Sequence, residues 1–328
     1  MTGRLVLVVV SPRVPPGLLS WPAWEALRSG VVLTGHDCPQ LPFLRDAGIE
    51  VQVVAPTVEL LHDRAVAGET VVWLTTGDTD AELVRAVGLR AVASGVVVEQ
   101  VHGSYDPPGA RLLDVVAVMD RLRSPGGCPW DAQQTHTSLM PYLIEEAYEA
   151  YQALEDGDLA DLREELGDVL LQVAFHARLA QEAEAPWSID DVAGDLVDKL
   201  VRRHPHVFAG GSADDLEGSW EALKAAEKGR TSVADGVPLS QPALSLAAKL
   251  QKRAGRLGAP LPVYEGLGGQ LWELVQRCRA AGLDPEVELR GVARAFRDRL
   301  GDIERGVRAE GREPSAITRQ EWEVLWSC

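Results

Sequence analysis

The sequence predicts a mainly α-helical protein preceded by a small α/β domain. Two observations carry this. Residues 1–105 are rich in Val, Gly and Pro and hold short apolar runs of strand length with helical stretches between some of them. From Leu112 onward the texture changes: Leu112, Val115, Val116, Met119 and Leu122 recur at helical spacing.

In chain order, Leu5–Val10, Val31–Thr34, Val51–Ala55, Val71–Thr75 and Val96–Val98 read as short buried strands. Trp21–Arg28 and Ala81–Val87 read as helices between them, so the sheet is expected to be largely parallel. Tyr105-Asp106-Pro107-Pro108-Gly109 reads as a linker. Ser124-Pro125-Gly126-Gly127 stops the first long helix. Further helices are expected over Ser138–Asp156, Leu159–Glu184, Ile189–His204 and Leu216–Lys228, with Ser138 as N-cap and Gly157 as stop. A last helical block covers Pro242–Trp326. Three domains follow from this: 1–105, 110–230 and 240–328.

The 328 residues suffice for two or three domains and a sizeable core. A net charge of −17 argues against polynucleotide or an anionic membrane as partner, since both need basic surface. A small anionic ligand responds to local charge and is not excluded. Cys38, Cys128, Cys278 and Cys328 form no close pair, so a reducing cytoplasm is the expected home. The run Leu5–Val10 is too short for a signal sequence, and no run reaches the ~20 apolar residues of a membrane span.

The most informative stretch is a split acidic set. Glu145-Glu146-x-x-Glu149 is followed by Glu165-x-x-Asp168. Positions i and i+3 are neighbours on a helix, so Glu146/Glu149 and Glu165/Asp168 form two pairs. The residues between Glu149 and Glu165 suffice to end one helix, turn and return antiparallel, which lets the pairs face each other. Carboxylates gathered without cations repel and resist desolvation. Such a group points to a hard divalent cation shared with substrate phosphates. The plainer reading is two solvated acidic faces. Against it, Glu165 and Asp168 stand among Leu162, Leu166, Val169, Leu170 and Val173. Gly167 beside them costs a helix roughly 1 kcal/mol against Ala and suggests close approach of another helix or a ligand.

Three further segments carry chemistry. In Gly127-Cys128-Pro129-Trp130-Asp131, Trp130 either stacks on a base or anchors an ordinary loop by burial. Lys199, Arg202 and Arg203, just before His204-Pro205-His206, gather cationic charge that suits either a helix C-terminus or a triphosphate. Trp220 and Lys224 share a face, as a packed pair or as a ligand clamp. Farther on, Glu265–Arg279 echoes Glu164–Arg178, with Gly266 and Gly269 where Glu165 and Asp168 stand.

Together these segments resemble the MazG-type nucleoside triphosphate pyrophosphohydrolases. The likeness rests on Cys128-Pro129-Trp130-Asp131-x-x-Gln134-Thr135-His136, Glu145-Glu146-x-x-Glu149, Glu164-Glu165-Leu166-Gly167-Asp168, Lys199-x-x-Arg202-Arg203-His204-Pro205-His206 and Trp220-x-x-x-Lys224, in that order. It covers about residues 110–230, and 240–328 resembles a second unit that lacks the acidic pairs. Residues 1–105 resemble a truncated tetrapyrrole-methylase module, but Val10-Ser11-Pro12-Arg13 replaces the expected glycine-rich turn, so no methyl transfer is expected.

The resemblance implies an all-α bundle that pairs as a homodimer or higher homo-oligomer. It implies hydrolysis of (deoxy)nucleoside triphosphates to monophosphate and pyrophosphate, with broad specificity and a nucleotide-pool housecleaning role. It implies Mg²⁺, with Mn²⁺ as alternative, held by Glu146, Glu149, Glu165 and Asp168, with Glu145 orienting or deprotonating the water. It implies substrate contacts from Trp130, Lys199, Arg202, Arg203, Trp220 and Lys224. A silent nucleotide-binding regulator, a base-specific all-α pyrophosphohydrolase and a methyltransferase are the rival readings.

Overall fold

The computed structural model describes residues 3–76, 80–210 and 231–327. By its contacts the chain divides into two compact units, Met1–Asp198 and Lys199–Cys328.

The first unit opens with a five-stranded sheet: β1 (Arg4–Val9), β2 (Val31–Thr34), β3 (Val51–Val53), β4 (Thr70–Thr75) and β5 (Val97–His102). The order is β3-β2-β4-β1-β5 and every pairing is parallel. Parallel strands need crossover connections, and their sheets are covered on both faces. Here the crossovers are α1 (Trp21–Arg28), α2 (Gln40–Asp46), α3 (Val58–Val66) and α4 (Ala81–Ser94). Alternation along β4 shows the two faces. Val72 and Leu74 pack with Val6, Val8, Leu27 of α1 and Leu41 of α2. Val71 and Trp73 pack with Leu5, Leu7, Leu61 of α3 and Val87 of α4.

All five strands stand where the apolar runs predict them, although β5 extends to His102 instead of Val98. The expected end of α4 at Val87 is corrected: the helix passes through Gly88 and stops at Gly95. The helices α2 and α3 were not expected. Each is short and owes its stability to burial of Leu41 and Leu44, or Leu61 and Ala65, more than to its own pattern.

The rest of the first unit is helical: α5 (Arg111–Arg123), α6 (Pro129–Gln133), α7 (Met140–Asp156), α8 (Leu159–Ala180) and most of α9 (Ile189–Arg203). The expected N-cap of α7 is corrected. Ser138 is not its cap; the helix starts after Leu139. The Ser138 hydroxyl is engaged with the Gln134 side chain at 2.7 Å, and the Ser138 amide donates to Thr135 Oγ1 at 3.1 Å. Gly157 does close α7, in the left-handed region, and Asp158 caps α8 by accepting from the amides of Ala160 and Asp161. Two residues between them force α7 and α8 into an antiparallel hairpin. The end of α8 is Ala180 instead of Glu184.

The second unit holds the end of α9, then α10 (Pro205–Phe208), α11 (Ala243–Arg256), α12 (Gly266–Ala280), α13 (Pro285–Ala309), a 3₁₀ turn (Pro314–Ala316) and α14 (Arg319–Ser327). Ile303, Val307 and Ile317 form a small core with Trp322 and Leu325 against it. The helix expected over Leu216–Lys228 lies outside the described residues. Both glycines of the echo have structural work to do. Gly266 has φ +76° and opens α12 from the left-handed region. A Cβ on Gly269 would lie 1.9 Å from the Tyr264 carbonyl oxygen.

Candidate active site

The antiparallel hairpin of α7 and α8 places the two acidic pairs opposite each other. One carboxylate oxygen each from Glu146, Glu165 and Asp168 lie within 4.8 Å of one another, and all three side chains are half-buried. Glu149 stands beside them: it hydrogen-bonds Glu146, and its charge acts on Glu165. Glu145 is exposed and acts on Glu146 through its charge.

The electrostatics show the cost of this gathering. Glu146 is pushed up from the ordinary carboxylate range, first by partial desolvation, then by the charges of Asp168, Glu149 and Glu145 and by the hydrogen bond that its protonated carboxyl donates to Glu149. Glu165 is pushed up by partial desolvation, then by Glu149, Asp161, Asp168 and Glu164. Among the described residues, no cation acts on either group. An oxygen-only set under mutual repulsion is the donor chemistry that suits a hard divalent ion.

Trp130 lies on the short helix α6 instead of a loop, and that segment is ordered by a buried arginine. Arg123, at the end of α5, keeps its side chain only 4% exposed. It pairs with Glu182 through Nη2 at 2.8 Å, donates to the carbonyls of Asp131 and Gln134, and lies 5.6 Å from the Phe175 ring centre. Burying that guanidinium is tolerable only because it is so fully paired. Glu182 is held below the usual carboxylate range, chiefly by its hydrogen bond from Arg123. Trp130 itself is 50% exposed, so the reading of a buried anchor is corrected. Its ring meets Tyr142 of α7 edge-to-face, 6.3 Å between centroids. His136 Nδ1 lies 2.8 Å from His176 Nδ1, which fastens the same loop region to α8.

Lys199, Arg202 and Arg203 occupy the end of α9. They belong to the second unit, whereas the carboxylates belong to the first. Trp220 and Lys224 lie outside the described residues. Sequence reasoning missed Arg123 and Tyr142. Tyr142 had a signal, four residues before Glu146 on the same helix face. Arg123 had none, because its partners at positions 131, 134 and 182 are set by tertiary packing.

Gly167 does not do what was expected of it within this chain. A Cβ there would meet nothing within 4 Å among the described residues.

Residues 134–208 match the model of the MazG nucleotide pyrophosphohydrolase domain. The chain is 44% identical to a nucleoside triphosphate pyrophosphohydrolase of Mycobacterium tuberculosis, over 98% of this chain and 94% of that one. It is 38% identical to the nucleoside triphosphate pyrophosphohydrolase/pyrophosphatase MazG of Thermotoga maritima, over 66% of this chain and 95% of that one. It is 54% identical to an uncharacterised 26.1 kDa protein of Streptomyces cacaoi, over 62% of this chain and 86% of that one. With motif order, helical hairpin and near full-length likeness in agreement, the chain belongs to the MazG family of nucleoside triphosphate pyrophosphohydrolases.

Proposed function

We propose that this protein hydrolyses (deoxy)nucleoside triphosphates to the monophosphate and pyrophosphate, with little discrimination among bases, at the carboxylates of α7 and α8. The observation that carries this is the meeting of Glu146, Glu165 and Asp168 oxygens within 4.8 Å. Glu146, Glu149, Glu165 and Asp168 fit Mg²⁺ or Mn²⁺: they offer only oxygens, and a cation offsets the desolvation and the mutual repulsion that raise Glu146 and Glu165. When bound, the ion supplies charge neutralisation at the phosphates and a lower pKa for an attacking water. Glu145, exposed at the edge of the cluster, orients that water and takes its proton. Lys199, Arg202 and Arg203 keep, on the motif likeness alone, the substrate-binding role that the resemblance implies. Trp130 borders the base; Trp220 and Lys224, outside the described residues, keep the substrate contact that the motif likeness implies.

We assign no methyl transfer to the N-terminal sheet. At the carboxyl end of β1, where open parallel sheets take their ligands, Arg13 fills the turn. Its side chain is 5% exposed and pairs with Asp106 and Asp114, both at 2.6 Å. The chain works as a homodimer. Leu143 and Ile144 on α7 and Leu159 and Leu166 on α8 stand 37–76% exposed, and the open space over Gly167 leaves room for a second copy's helices. Among the described residues no helix is long and apolar enough to cross a membrane.

Incubation with Mg²⁺ and a panel of triphosphates, with pyrophosphate and orthophosphate assayed separately, tests this reading. Pyrophosphate with monophosphate supports it. Orthophosphate alone contradicts it. Triphosphate binding without product means a silent regulator.

A further inference from the structure

We propose that Tyr142 and Trp130 together form the seat for the nucleobase, and that Tyr142 sets how loosely bases are read. This rests on the reading that the carboxylates of α7 and α8 engage the α-phosphate. The two rings meet at 76° with centroids 6.3 Å apart. They touch edge-to-face, so they form a corner and not a sandwich. Trp130 is 50% and Tyr142 40% exposed, which leaves ring surface open to solvent. A planar base can lie on one ring and turn its edge toward the other.

Position argues for this use. Tyr142 precedes Glu146 by one helical turn, about 6 Å along the axis. That offset is of the size of the ribose that separates a base from its α-phosphate. The corner is also pre-organised. The short helix α6 that carries Trp130 is fixed by Arg123 at the carbonyls of Asp131 and Gln134, and the Gln134 side-chain amide donates to the Trp130 carbonyl at 3.0 Å. An exposed aromatic on a segment braced this firmly is placed for a partner that needs little ordering on binding.

The corner reads π-surface in preference to a donor–acceptor pattern. Stacking of this kind tolerates any base, because every base has a π-face. Affinity is therefore expected to rise from pyrimidine to purine and to differ little among purines with different edge groups.

The test is a kinetic comparison of the full chain with Tyr142→Ala, Tyr142→Phe and Trp130→Ala. KM is measured for purine and pyrimidine triphosphates. The Ki of inorganic tripolyphosphate, which carries phosphates but no base, is measured in the same assay. Each alanine variant should raise KM about tenfold, within the range found for loss of one base-stacking ring, and leave the tripolyphosphate Ki within about twofold. Tyr142→Phe, which keeps the ring, should recover most of the loss. Unchanged KM in Tyr142→Ala, or a parallel rise in KM and Ki, would overturn the inference. Pyrophosphate release by the unsubstituted protein keeps the two failures apart: if it persists while the KM prediction fails, the proposed function stands and the base seat lies elsewhere.

Discussion

Asp168 and Gly269 coincide when Glu265–Arg279 is laid over Glu164–Arg178, yet their surroundings differ at the level of single atoms. Asp168 stands one turn from Glu165 on α8 and meets Glu146 of α7 across the hairpin. Gly269 lies under the Tyr264 carbonyl with no room for a Cβ. Asp168→Asn or Glu146→Gln should lower kcat about a thousandfold, a loss of about 4 kcal/mol in charge stabilisation. Circular dichroism should show the helices intact. Because the four carboxylates repel in the absence of a cation, the metal-free Glu146→Gln protein should melt at a temperature no lower than the parent. Mg²⁺ should raise the melting temperature of the parent and not of the variant, by mass action on the folded state. Conversely, Gly269→Asp should not create a second site. It should destabilise the second unit, seen as a lowered melting transition, while turnover per folded molecule stays as in the parent. The meeting of the carboxylates was legible in the sequence because i,i+3 spacing and hairpin length are one-dimensional facts. The exposed state of Trp130 was not, because burial depends on what packs over a loop.

At the scale of elements, the strands could be read from their apolar runs, since buried parallel strands leave continuous Val and Leu segments. The helices α2 and α3 could not, being short and stabilised by contacts from elsewhere. Ser138 shows a further limit: a residue with good capping chemistry was taken by a neighbouring turn instead. The tie between sheet and helix at Arg13 was also hidden, because its partners lie about a hundred positions away. Asp106 is held below the usual range first by its Ser11 hydrogen bond and then by Arg13, and Asp114 first by its Arg13 hydrogen bond. For carboxylates with lowered folded-state values, the stabilisation is present above their unfolded values near pH 4 and is lost as pH falls through and below that range. Arg13→Met should therefore lower the melting temperature at pH 7 by a few degrees. It should also flatten the decline on acidification. A melting series from pH 7 to pH 3 checks both; parallel curves for parent and variant would remove Arg13 from the account of this joint.

For the whole molecule, the hairpin of α7 and α8 carries both the carboxylates and the exposed Leu143, Ile144, Leu159 and Leu166. Assembly and catalysis are thus expected to depend on the same elements. Leu166→Glu should shift the protein from dimer to monomer in sedimentation velocity and reduce turnover with it; a variant that stays dimeric would show that this face is not the interface. The likeness to the mycobacterial relative extends over nearly the whole chain, so it takes in the second unit as well as the first. The central claim is that the α7–α8 carboxylates cleave between the α- and β-phosphates. It is tested most directly by product analysis of the parent and Asp168→Asn proteins with a nucleoside triphosphate and Mg²⁺. The account predicts equal amounts of monophosphate and pyrophosphate from the parent and almost none from the variant. Orthophosphate as the product, or an Asp168→Asn protein as active as the parent, would contradict it.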